Sequence, residues 1–153
     1  MLLLRHASAG ERMSSPYIDR FRELDDEGRA DARQLVWGLA GRPLERVVTS
    51  PLPRCVQSVV PLARSRRLAV ENRDELLPDA PREATMELLV ELPEASLVCT
   101  HREVFLQLFA GEVSCEKGGV WVLERQGALL CPVEYIEPRA AVPDRFQLTV
   151  PAR

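Results

Sequence analysis

Three short apolar runs, each passing directly into a polar cluster, restrict this chain to few architectures. Leu2-Leu3-Leu4 runs into Arg5-His6, Val47-Val48 into Ser50–Arg54, and Ser96–Thr100 into His101. Runs of this length and apolarity read as strands buried on both faces. Helix-length segments separate them. Asp25 or Asp26 can cap a helix to about Ala40, with Ala30, Leu35, Val36 and Leu39 on one face and Gly41 as the stop. Ser50 as N-cap and Pro51 at the first helical position open a second helix to about Arg64, with a kink expected at Pro61. A short strand near Leu68–Val70, a proline-rich loop over 78–81, a helix over 82–92 and a helix over 104–109 follow. The stretch from Ala7 to Asp26 reads mostly as loop. Val120–Glu124 and Ala128–Ile136 read as an antiparallel pair around Gln126-Gly127. The alternation predicts an α/β fold: a three-layer α/β/α sandwich with a mostly parallel central sheet and an antiparallel edge.

Composition narrows the function classes. The 153 residues suit one domain, and no run of about 18 apolar residues is present to span a membrane. Met1–Leu4 is followed at once by Arg5 and His6, so a signal peptide is not expected and the location expected is cytoplasmic. A net charge of −3 argues against nucleic-acid or membrane partners held by bulk charge. Cys55, Cys99, Cys115 and Cys131 lack C-x-x-C spacing and read as buried reduced thiols. With only two histidines and no paired spacing, neither a metal site nor a cofactor is expected. Trp37 and Trp121 read as core, and Arg64, Arg66 and Arg67 as a solvated helix end.

In an open parallel sheet, ligands bind beyond the carboxyl ends of the strands. Both histidines, His6 and His101, fall at such ends, with Arg5 beside the first and Arg54 in the first turn of a helix. Helix N-termini and planar guanidinium forks suit a tetrahedral anion. The expected site is two imidazoles and two guanidiniums around one phosphate.

These residues carry a resemblance. Leu4-Arg5-His6-Ala7 resembles the Arg-His-Gly signature of the histidine phosphatase superfamily, and Leu24–Gly28 its L-T-x-x-G helix entry. Ser50–Ser58 resembles S-P-L-x-R-A-x-Q-T, and Val98–His101 the late V-x-G-H. Ala7 and Thr100 stand where the family carries glycine. The resemblance implies a single histidine phosphatase domain over residues 1–153, phosphoglycerate mutase-like, without metal or cofactor. It implies His6 as the nucleophile that forms a phosphohistidine, with Arg5, Arg54 and His101 binding the phosphoryl oxygens. Asp79 is the proton donor implied by position, with Glu75 next. Arg22, Ser8 and Arg102 are the expected substrate contacts, and Glu103 is a candidate to orient His101 or Arg102.

The short length is similar to the SixA-like branch, which implies a phosphorylated protein or small phosphorylated substrate. Arg54–Gln57, Cys99–Val104 and Lys117–Leu123 also resemble phosphatase domains associated with actinobacterial Nudix hydrolases. That likeness implies nucleotide phosphates and leaves room for a separate Nudix partner. A non-catalytic module that binds a phosphorylated partner fits the same pocket.

Overall fold

The computed structural model describes residues 1–139. Six strands form one sheet in the order β3-β2-β4-β1-β5-β6. They are β1 (Leu2–Arg5), β2 (Arg46–Thr49), β3 (Val70–Asn72), β4 (Ser96–Thr100), β5 (Val120–Gln126) and β6 (Leu129–Ile136). β1, β2, β3 and β4 pair in parallel, while β5 and β6 add an antiparallel edge beside β1. The helices are α1 (Pro16–Asp19), α2 (Asp26–Gly38), α3 (Pro53–Arg66), α4 (Arg82–Glu91) and α5 (Arg102–Phe109).

The period-two alternation of the strands sorts the core into two layers. Leu2, Leu4, Val47, Leu97 and Cys99 pack with Leu39 of the segment closing α2 and with Val59 and Leu62 of α3. Leu3, Val48 and Val98 point the other way, onto Leu88 and Leu89 of α4 and Phe105 of α5. This is the expected three-layer arrangement.

Local departures have local causes. α3 begins at Pro53 rather than Pro51, because the residue before a proline disfavours helical backbone. Leu52 accordingly sits extended at φ −68° and ψ 140°, and Ser50 is not the N-cap. The helix runs on through Pro61. It ends in a Schellman motif with Arg67 left-handed at φ 56°, where the Leu68 N–H reaches Ala63 O at 2.9 Å. Leu68 is thereby used to close the helix, and β3 starts two residues later than expected. Arg66 is not simply solvated: its guanidinium donates to Leu39 O at 2.7 Å and Arg42 O at 3.0 Å, satisfying carbonyls at the end of α2. α1 forms inside the stretch expected as loop. Trp37 is 55 % exposed and not core, whereas Trp121 is half-buried against the α4–α5 layer. All four cysteines are free, but only Cys55 and Cys99 are buried. Among the described residues, no helix is long and apolar enough to cross a membrane.

Candidate active site

Parallel register brings the two histidines together. β1 and β4 are neighbours with Arg5 opposite Thr100, so the next residues, His6 and His101, emerge side by side at the carboxyl rim. Their ring centroids lie 5.3 Å apart at an interplanar angle of 65°. His6 N–H is held by Thr100 O at 3.1 Å. The following Ala7 N–H donates to Ser58 Oγ of α3 at 3.0 Å, and that hydroxyl donates to Arg54 O at 2.6 Å. Ser58 thus clamps the loop carrying His6 to the helix carrying Arg54.

The loop is fixed from a second side by the entry of α2. Asp25 caps α2 by accepting from the Gly28 N–H at 2.8 Å. Its other oxygen accepts from Ser8 Oγ at 2.7 Å and Gly10 N–H at 3.0 Å. Gln57 Oε1 accepts from Leu24 N–H at 2.9 Å, tying the same entry to α3.

Each imidazole has one committed nitrogen. His6 Nδ1 donates to Ala7 O at 2.8 Å, which leaves the lone pair on Nε2. Burial is the main force lowering its pKa to about 4; the Ala7 bond opposes this, and Arg54 and Arg5 reinforce it. His101 Nε2 bonds to Ser50 Oγ at 2.7 Å, with Cys55 Sγ 3.5 Å from the same nitrogen. Burial, followed by His6 and Arg54, lowers its pKa to about 2. Both rings are neutral at pH 7.

His6, His101, Arg5 and Arg54 line one cavity of about 220 Å³. Arg54 is 4 % exposed, and its Nη1 donates to Asp19 O at 3.0 Å. Arg5 Nη1 donates to Cys115 O at 2.7 Å. The Nε atoms of these two arginines are the only buried side-chain N or O atoms without a partner among the described residues. Two desolvated N–H donors without acceptors are costly unless an anion completes them.

The other expected residues divide between this cavity and its surroundings. Arg22 and Arg102 line the cavity. Arg22 is anchored by Asp19 at 2.9 Å and by Ala9 O at 3.1 Å. Ser8 lies outside it, bound to Asp25 and facing a separate cleft. Asp79 lines an adjoining outer cleft of about 430 Å³ that shares Arg12, Arg54 and Glu103 with the cavity. Glu75 lies in neither, paired with Arg73 at 2.6 Å.

Arg12 and Lys117 also line the cavity and were not singled out as site residues in the sequence. Lys117 arrives through the loop before β5, whose Gly118 N–H donates to Arg5 O at 3.0 Å and His6 O at 3.1 Å. Its signal was weak: it is the sole lysine of the chain.

The family model for the histidine phosphatase superfamily (branch 1) matches residues 1–77. The chain belongs to that superfamily. It is 30 % identical over 156 aligned residues to an 8-oxo-(d)GTP phosphatase of Mycolicibacterium smegmatis, covering 90 % of this chain and 48 % of that protein. The chain therefore spans about half that relative's length. Its fold is similar to the protein histidine phosphatase SixA complexed with tungstate, at 20 % identity and TM-score 0.73, covering 90 % and 96 % of the two chains. It is also similar to a phosphoserine phosphatase of Entamoeba histolytica complexed with phosphoserine, at 12 % identity and TM-score 0.69, covering 88 % and 94 %.

Proposed function

We propose that this domain is a metal-independent phosphatase that works through a phosphohistidine on His6, taking a phosphohistidine protein or a small phosphorylated metabolite as substrate. The observation that carries this reading is one cavity lined by His6, whose Nδ1 is committed so that Nε2 keeps its lone pair, by His101, and by the guanidinium-bearing Arg5 and Arg54. Nε2 attacks phosphorus in line, the P–O or P–N bond to the leaving group breaks, and water then hydrolyses the phosphohistidine. Arg5 and Arg54 supply fixed positive charge where the equatorial oxygens gain negative charge. His101 contributes its Nδ1, because Nε2 is held by Ser50.

Each side chain fits this work by its position. A nucleophile with a pKa near 4 needs no base to remove a proton at neutral pH. The tautomer is set by the Ala7 carbonyl, and Thr100, Ser58 and Asp25 hold the backbone on either side of the ring. Arg22 and Arg102 extend the positive field outward, as substrate contacts.

A second reading, hydrolysis of nucleoside phosphates, is favoured by the curated relative and by the charge of the cavity. Six cationic side chains line it (Arg5, Arg12, Arg22, Arg54, Arg102 and Lys117) against one carboxylate, Glu103. That excess suits more than one phosphoryl group. The outer cleft adds Met13, Pro16, Tyr17, Leu52 and Pro78, an apolar wall for a flat leaving group. This reading leaves room for a separate Nudix partner.

Phosphate release in EDTA from a phosphohistidine protein, sugar phosphates and nucleoside di- and triphosphates tests both readings. Turnover that is lost in His6→Ala supports the mechanism, and the preferred compound selects the substrate. Turnover that requires added metal, or that persists in His6→Ala, refutes it.

A further inference from the structure

We propose that Glu103 is the base that takes the proton from the water hydrolysing the phosphohistidine. This rests on the reading of His6 as nucleophile and adds a residue to it. Phosphoryl transfer in line requires the leaving group to depart opposite Nε2, and the hydrolytic water to enter from that same side. The outer cleft adjoins the phosphoryl cavity and meets it at Arg12, Arg54 and Glu103. Glu103 is the sole carboxylate lining both spaces. Asp79 and Asp19 line the outer cleft but not the phosphoryl cavity.

The side chain is built for this duty. Glu103 stands in the first turn of α5, directly after the His101–Arg102 pair, where the helix dipole favours an ionised carboxylate. Its side chain is 33 % exposed, and Arg12, from the loop after β1, pairs with it. Burial works against its ionisation, but its own backbone N–H and Arg12 prevail and hold its pKa below the ordinary value. The ionised carboxylate can accept a proton, with the lowered pKa weakening it as a base. In the step itself, the water oxygen bonds to phosphorus and its proton passes to Glu103. The P–Nε2 bond breaks with its electron pair returning to His6, and phosphate leaves. The Glu103 carboxylic acid then returns the proton to solvent. Arg12 is a positioning residue that keeps the carboxylate at the junction.

Rapid mixing with p-nitrophenyl phosphate separates the two half-reactions, because nitrophenolate leaves without help from an acid. In Glu103→Gln the expected result is a burst of about one equivalent of nitrophenolate per enzyme. Steady-state turnover should fall by roughly 10²- to 10⁴-fold, and a phosphoryl group should accumulate on His6, seen by intact mass at neutral pH. Glu103→Asp, which keeps a carboxylate one methylene shorter, should show a smaller accumulation and a partial rate. Equal slowing of burst and steady state without phosphoenzyme overturns the proposal, as does a burst in Asp79→Asn but not Glu103→Gln. Absence of phosphoenzyme in every variant, with His6→Ala still turning over, removes the nucleophile reading itself.

Discussion

Gly28→Ala sets helix propensity against tertiary contact, and the two predict opposite signs. In a helix interior, alanine for glycine is worth about 1 kcal/mol in favour of the helix. Here a Cβ on residue 28 would stand 1.9 Å from the Ser8 carbonyl oxygen and 2.9 Å from its carbon. Ordinary C···O separation is about 3.4 Å, so the Ser8 backbone has to retreat by roughly 1.5 Å. That carbonyl accepts from Asp25 N–H at 3.1 Å, and the Ser8 hydroxyl is tied to the Asp25 side chain. Overpacking of this kind costs about 1–3 kcal/mol, and the strained Asp25 bond adds about 1 kcal/mol. After the propensity gain, the variant should be less stable by about 1–3 kcal/mol, a Tm drop of roughly 3–10 °C. Ser8 is two residues from His6, so kcat should fall by on the order of 10²-fold, the usual cost of moving a reacting group by about 1 Å. Urea unfolding and phosphate release on the same preparation read both effects. A variant as stable as the parent, with kcat within about twofold, would refute the claim that this close approach positions the nucleophile.

The remaining predictions concern charge, geometry and surface. His6 with a pKa near 4 takes up its proton later than the unfolded chain does at about 6.5, so the unfolded state binds more protons between those values. Stability should therefore fall as pH drops from about 6.5 to 4, by on the order of 3 kcal/mol from His6 alone, and His101 continues the loss to lower pH. The acid limb of kcat/KM should lie near 4 rather than 6.5; a limb at 6.5 contradicts the buried neutral nucleophile. Arg54→Lys removes the unpartnered Nε and the fork that reaches Asp19, so turnover should fall by about 10²–10³-fold while folding is retained; a change under fivefold would remove Arg54 from the phosphoryl site. Trp37→Ser, at an exposed position on α2, should change stability by less than about 0.5 kcal/mol, and a larger loss by thermal unfolding would show that the ring is packed.

Strands, layers and the four residues that gather at the cavity, Arg5, His6, Arg54 and His101, were legible in the chain itself. Apolar runs such as Leu2–Leu4 and Ser96–Thr100 must be buried whatever surrounds them, and the polar residues that follow must emerge at a strand end. These are short-range consequences, legible without knowing any neighbour. Tertiary structure decided everything that depends on which strand lies beside which. Only the adjacency of β1 and β4, with Arg5 opposite Thr100, sets His6 against His101. Ser50, read locally as a helix cap, is claimed instead by His101 across 51 residues of chain. Arg12 and Glu103, 91 residues apart, meet only because the loop after β1 crosses the start of α5. Trp37 is apolar at a helical spacing that suits the core, yet packing of α2 on α3 leaves its side outward. The physical division is between burial and extension, which the chain enforces on its own residues, and proximity, which exists only after the sheet order is set.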